Sequence, residues 1–332
     1  MVITPTGLPP FTPAWWVPGA HAQTLWGRFF RRTSLPATGY FERWDTPDGD
    51  FLDVYRVPGA TGAPRLLVLH GLEGTIRSHY ARGILRRAAA AGWAADLLIF
   101  RGCGSELNRA LRFYHSGETE DLAFAAHRIS EEHPLDPMTV VGYSLGGNVL
   151  LKWLGDPAAS HPAQLRAAAA VSVPYDLEAG ARFIHRGFSR VYEHHFLRTL
   201  KVKAIAKLER FPGVADAAAI EAADSIVDFD EHFTAPVHGF ANAHDYYRRS
   251  SALRFLAAIP VPTLLLSAFD DPFLPPEVLR QTGVVAAGNR KLSVCFSAQG
   301  GHVGFVSGDV PGKPVYYSED RVLAFFNRQL EA

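Results

Sequence analysis

Three short stretches carry residues able to act together on a carbonyl carbon. Val140-Val141-Gly142-Tyr143-Ser144-Leu145-Gly146-Gly147-Asn148 contains Gly-x-Ser-x-Gly, His70-Gly71-Leu72-Glu73-Gly74 follows an apolar run, and Gln299-Gly300-Gly301-His302-Val303-Gly304-Phe305 sets a histidine among glycines. A serine hydroxyl is a poor nucleophile until a base removes its proton, and imidazole can both take that proton and return it near neutral pH. Gly-x-Ser-x-Gly alone is a weak signal. Its setting sharpens it: an apolar strand before and a helical segment after are what a sharp, strained nucleophile turn needs, with glycines where side chains would collide. Ser144 is therefore the expected nucleophile and His302 the expected base. The N–H groups of Leu72 and Leu145 are the expected donors to the oxyanion. His70 is read as a histidine hydrogen-bonded within its turn.

Such chemistry also needs an acid to orient the imidazole, in the chain order serine, acid, histidine. The stretch SAFDDPFLPP (267–276) offers Asp270 and Asp271. Adjacent residues leaving a strand point to opposite sides, so one of the two can reach His302. Asp271 is favoured: Pro272 biases its backbone towards an extended conformation, and Pro275 stands four residues on. Asp270 is the alternative, and Asp176 in SVPYD a more distant one.

These residues require a frame. Two alternating segments, GYFERWDT and FLDVYRV, flank the turn signal Pro47-Asp48-Gly49 and predict a hairpin. RLLVLHG, AADLLIF, MTVVGYS, RAAAAVSV, PTLLLSA and KLSVCFS are apolar runs separated mainly by helical segments, and YYSEDRVLAFFNRQL predicts a closing helix. Apolar strands alternating with helices predict an α/β fold, a mostly parallel central sheet covered on both faces. About 85 residues of helical composition lie between RAAAAVSV and PTLLLSA. The expected division is an N-terminal arm (1–38) packed on the body, a core (39–174 and 261–332) and a helical cap (175–260) inserted before the acid-bearing strand.

Among 332 residues, 33 basic and 33 acidic side chains cancel, which gives no electrostatic reason to expect a nucleic-acid partner. A 48% hydrophobic composition excludes general disorder. Two cysteines, Cys103 and Cys295, suit a reducing compartment. The apolar N-terminus is interrupted by Pro5, Pro9, Pro10, Pro13 and Pro18, so neither a signal peptide nor a spanning helix is expected, and a cytoplasmic location is. His185, His194 and His195 match no ligand spacing, and Gly102-Cys103-Gly104 lacks the third glycine of a dinucleotide loop; neither metal nor organic cofactor is expected.

The spacing of Arg182, Arg186 and Arg190 predicts one basic helical face, balanced by Asp224, Asp228, Asp230 and Glu231 and solvated; contact with a membrane surface is the less favoured reading. Trp15, Trp16 and Trp26 are expected to pack the arm on the body. Ser116 or Thr119 is expected to cap a helix. Cys103 is expected either to line the substrate cavity or to be a buried thiol.

Taken together, PFTPAWWVPGAHAQTL, HGLEG, FRGCG, YHSGETEDL, GYSLGGN, GFSRVYEHHF, FDEHFTAPVHGFANAHDYY, DDPF and GGHVGF resemble the YheT-like α/β-hydrolases, bacterial relatives of the ABHD-type lipases, over nearly the whole length. The resemblance implies an α/β-hydrolase fold with a helical cap, a Ser-Asp-His triad, and ester hydrolysis of short- and medium-chain acyl groups or, as in eukaryotic relatives, phospholipids. The family commonly shows RGCSGEPN where this chain reads Arg101-Gly102-Cys103-Gly104-Ser105-Glu106-Leu107-Asn108, a departure expected to bear on the cavity. The leading expectation is a serine carboxylesterase; the alternatives are a thioesterase, amidase, C–C hydrolase or phospholipase with the same triad, or a non-catalytic binding protein on this fold.

Overall fold

A computed structural model describes residues 9–331; residues 1–8 of the expected arm and Ala332 lie outside the described residues. Along the chain come α1 (Gly19–Phe30), β1 (Tyr40–Asp45), β2 (Phe51–Val57), β3 (Arg65–Leu69), α2 (His79–Ala90), β4 (Ala94–Ile99), α3 (Glu120–Glu132), β5 (Met138–Tyr143), α4 (Leu145–Gly155) and β6 (Leu165–Val171). A helical insertion follows, with α5 (Leu177–Ile184), α6 (Arg190–Arg210), α7 (Ala217–Ala222), α8 (Ile226–Phe229), α9 (Ala235–His238) and α10 (Ala243–Ser250). The chain closes with β7 (Thr263–Ala268), α11 (Pro276–Ala287), β8 (Leu292–Ser297), β9 (Val306–Ser307), β10 (Val315–Tyr316) and α12 (Tyr317–Glu331).

Eight strands form one sheet in the order β1-β2-β4-β3-β5-β6-β7-β8. β1, β2 and β4 pair antiparallel and the remaining neighbours pair parallel. β4, β5 and β7 are buried at every residue, as strands covered on both faces must be. Register sets Leu69 beside Gly142, Tyr143 beside Val171, and Ala268 beside Ser297. The carboxyl ends of β3, β5, β7 and β8 therefore open on one edge of the sheet, where ligand sites of open α/β sheets form.

Several local expectations are corrected. Arg182, Arg186 and Arg190 do not share a helical face: α5 stops at Ile184, Gly187 takes a left-handed φ of +52°, and α6 begins at Arg190. Arg182 instead pairs with Glu178 at 2.9 Å and Arg190 with Asp224 at 3.4 Å. Asp230 is no solvated counter-charge but is buried, accepting hydrogen bonds from Thr234 and Tyr247. Neither Ser116 nor Thr119 caps α3; the Glu118 carboxylate accepts from Glu120 N–H and Asp121 N–H in their place.

The arm contains a helix that the proline-rich sequence does not announce. Gln23 of α1 is buried; its amide donates to Val17 O and Val306 O and accepts from Val306 N–H. Trp16 donates to Gly308 O and packs edge-on against Trp26, while Trp15 stays largely exposed. Arg31, just past α1, forms a two-pronged pair with Glu319 of α12, buried and shared with Arg87. No helix among the described residues is long and apolar enough to cross a membrane.

Candidate active site

Ser144 stands at the turn from β5 into α4 with φ 52° and ψ −119°. Bulk is excluded on every side of this turn: a Cβ on Gly142 would sit 2.4 Å from Gly146 O, one on Gly146 2.4 Å from His70 O, and one on Gly71 3.1 Å from the Ser144 Cβ. The five non-glycine residues with left-handed backbone among the described residues are Glu73, Ser144, Ser172, Val303 and Phe305, all in the loops at this edge of the sheet. Such strain persists only where the surroundings over-determine it, and it gathers at functional sites.

His302 Nε2 lies 2.9 Å from Ser144 Oγ and His302 Nδ1 2.8 Å from Asp271 Oδ2. Asp271 cannot donate when ionised, so Nδ1 carries the proton and Nε2 faces the serine as acceptor. Asp271 is almost fully buried, and its other oxygen accepts from Phe273 N–H at 2.8 Å, which fixes the carboxylate plane. Asp270 points elsewhere, accepting from Gly301 N–H at 2.9 Å and so bracing the histidine loop. Burial, with the neighbouring Asp271 charge, raises the Asp270 carboxyl above its ordinary range. Asp176 caps α5 by accepting from Ala179 N–H and takes no part here.

Leu145 is the first residue of α4, so its N–H has no intrahelical acceptor and points to where negative charge is favoured. Leu72 is placed by the loop after β3. Gly71 O accepts from Gly74 N–H at 2.9 Å and from His70 Nδ1 at 2.8 Å. Phe100 N–H donates to His70 Nε2 at 3.1 Å, which assigns the imidazole proton to Nδ1. In a trans peptide C=O and N–H point opposite ways, so anchoring Gly71 O turns the Leu72 N–H away from His70. Neither Leu72 N–H nor Leu145 N–H has a protein acceptor among the described residues. Tyr80 OH accepts from Gly71 N–H and steadies the same loop.

Other contributors lie too far apart in sequence to be read from it. Thr24 Oγ1 of α1 accepts from His302 N–H at 2.9 Å, and Ser172 Oγ accepts from Val303 N–H at 3.0 Å. The Phe273 ring stacks on the His302 imidazole with centroids 4.1 Å apart and in turn meets Tyr192 and Phe196 of α6. A cavity of about 1170 Å³ opens beside Ser144, His302, Leu72 and Leu145, and is largely apolar, walled by residues such as Leu177, Ile184, Phe229 and Phe273. None of residues 101–108 lines it, so the loop that departs from RGCSGEPN does not shape this cavity. Cys103 is a buried thiol, held neutral by burial that pushes it up to about 12. Among the described residues no cluster of side chains suits a metal ion.

His70 also carries a stability prediction. Burial pushes it down to about 4, and burial with Arg31 and Arg28 pushes His79 down to about 3. The unfolded chain takes up protons at these groups from about pH 6.5 downwards while the fold does not, so stability present above pH 6.5 is lost as the pH falls. Each histidine removes about 2 kcal/mol between pH 7 and pH 5. Asp230, raised by burial to about 6, acts in the opposite sense and returns about 1 kcal/mol. Thermal unfolding at the two pH values should give the lower Tm at pH 5, and His70→Asn should flatten the dependence; a Tm that rises on acidification would refute this.

Comparison with known proteins agrees with the fold. Residues 64–309 match the family model described as alpha/beta hydrolase fold. The chain belongs to the α/β-hydrolase family. Within it, this hydrolase is YheT-like: it is 39% identical over 317 residues to "Putative esterase YheT" of Escherichia coli (strain K12), covering 94% of this chain and 91% of the relative. Phospholipase ABHD3 of Mus musculus is 31% identical over 327 residues, covering 95% and 77%. The Pyrococcus furiosus esterase Pf2001 superposes with a TM-score of 0.58 at 15% identity, covering 96% and 98%, a likeness of fold.

Proposed function

We propose that this α/β-hydrolase is a serine carboxylesterase acting on short- to medium-chain acyl esters. The observation that carries the reading is the continuous line Ser144 Oγ, His302 Nε2, His302 Nδ1 and Asp271 Oδ2, two hydrogen bonds long, at the edge of an apolar cavity. Ser144 attacks the ester carbonyl as His302 takes its proton. Charge gathers on the carbonyl oxygen, facing the Leu72 and Leu145 N–H groups, and two such donors each contribute about 3 kcal/mol to the transition state. His302 returns the proton to the leaving alcohol. Water, activated by the same imidazole, then releases the acid from the acyl-enzyme. The helical insertion serves as a cap over the acyl site, through Tyr192, Phe196 and the walls supplied by α5 and α8.

The size of the cavity favours a second reading on longer, lipid-like esters: about 1170 Å³ exceeds what most drug-sized ligands occupy. The names of its relatives, phospholipase and monoacylglycerol lipase, point the same way. Hydrolysis of p-nitrophenyl esters from acetate to palmitate, with monoacylglycerol and phosphatidylcholine alongside, distinguishes the two by where kcat/KM peaks. Turnover that survives Ser144→Ala would overturn both readings.

A further inference from the structure

The oxyanion loop is clamped on both sides of Leu72. The first clamp, on Gly71 O, lies wholly within the body of the fold. The second does not. Glu73, left-handed at φ 54°, donates its N–H to Tyr114 OH at 2.9 Å, and Tyr114 OH donates back to Glu73 Oε1 at 2.7 Å. Glu73 Oε1 also accepts from Lys203 Nζ at 2.7 Å, and Lys203 belongs to α6 of the helical insertion. Both partners of this pair are mostly buried, with side chains 23% and 10% exposed, so solvent screens it less than a surface pair.

We propose that Lys203 is a positioning residue for the oxyanion hole: by holding Glu73 against Tyr114 it fixes the peptide that follows Leu72, and so couples the seating of α6 to the direction of the Leu72 N–H. This rests on Ser144 and the Leu72 N–H acting as proposed above. The coupling follows from what each bond constrains. A left-handed Glu73 is strained on its own and needs its side chain and its N–H held together. Tyr114 OH has one proton to donate, and Glu73 Oε1 receives it. Without the ammonium, Glu73 loses the ion pair that holds it inward and has every reason to turn out to solvent, which frees both its carboxylate and the peptide beside Leu72. A shift of a fraction of an ångström at an oxyanion donor is felt where charge develops and not in ground-state binding.

The test measures the rate at which a fluorophosphonate labels Ser144 in the full chain. That reaction places a P=O oxygen in the oxyanion hole and needs no particular ester. Steady-state kinetics on p-nitrophenyl butyrate run beside it. Lys203→Met is expected to slow labelling about tenfold and to lower kcat about tenfold with KM within about twofold, the pattern of a loss confined to the transition state. Lys203→Arg should restore most of both, and Glu73→Met, which keeps the bulk but removes the carboxylate that Lys203 and Tyr114 share, should lose at least as much as Lys203→Met. Melting curves check that the variants fold; if Lys203→Met does not, Glu73→Met reads the same contact. Labelling of the folded variants at the wild-type rate, or a rise in KM with kcat unchanged, overturns the positioning role and leaves the esterase reading intact. A wild type that is not labelled, or labelling that survives Ser144→Ala, overturns both.

Discussion

Asp271→Asn should lower kcat by about four orders of magnitude, whereas Asp270→Asn should lower it by less than about tenfold. The two carboxylates are adjacent in sequence and differ in what they face. In Asp271→Asn the Phe273 N–H keeps an oxygen at the Oδ1 position, which turns the new amide NH2 towards His302 Nδ1. A donor there forces the imidazole proton onto Nε2, the wrong tautomer to accept from Ser144. In Asp270→Asn the amide oxygen still accepts from Gly301 N–H, and the loop that carries His302 keeps its brace. Steady-state kinetics on whichever ester the wild type hydrolyses best checks both. Equal losses, or the larger loss at Asp270, would show that the acid has been assigned to the wrong neighbour.

Gly146→Ala should damage stability and turnover together. The new Cβ would stand 2.4 Å from His70 O and 2.8 Å from Leu69 O. Both are backbone atoms of the β3 end, so relief requires α4 to move relative to the sheet. Overpacking of this kind costs about 3 kcal/mol, which lowers Tm by several degrees in a chain of this size. The movement also separates the Leu145 and Leu72 N–H groups, so kcat should fall at least about tenfold even in the folded fraction. Gly283→Ala on α11 is the control: beyond its own helix no atom lies within 4 Å of its Cβ position, and the change should slightly stabilise the helix. A Gly146→Ala protein with wild-type Tm would remove the packing argument.

Much of this was legible because the informative residues sit in local patterns. Ser144 lies inside a strand-turn-helix signature, His302 among glycines just after an apolar strand, and Asp271 before a proline at another strand end; each depends on neighbours within a few residues. The parallel sheet was legible for the same reason, since strands buried on both faces must be apolar throughout. What escaped has no local signature. Thr24 meets His302 across 278 residues, and nothing around a threonine in an apolar, proline-rich stretch marks it as the acceptor for a distant backbone N–H. Gly187 broke a helix that arginine spacing had run straight through, because periodicity ignores a single left-handed turn. Glu118 displaced Ser116 and Thr119 as the cap by folding its longer side chain back onto two N–H groups.

The hydrogen bond between Thr24 and His302 sets a clock on the birth of the enzyme. The helix that carries Thr24 is made early, yet its partner is polymerised 278 residues later. At the usual 5–20 residues per second, roughly 15 s to a minute passes in which α1 has no histidine loop to dock on. Gln23 and Arg31 wait as long or longer, for Val306 and Glu319. A ribosome-bound chain can therefore possess Ser144 and its strained turn well before it possesses His302, the proposed base. On the proposed mechanism the nascent chain stays silent until the segment around His302 has been made, and the docking of α1 on that segment is the step that arms it.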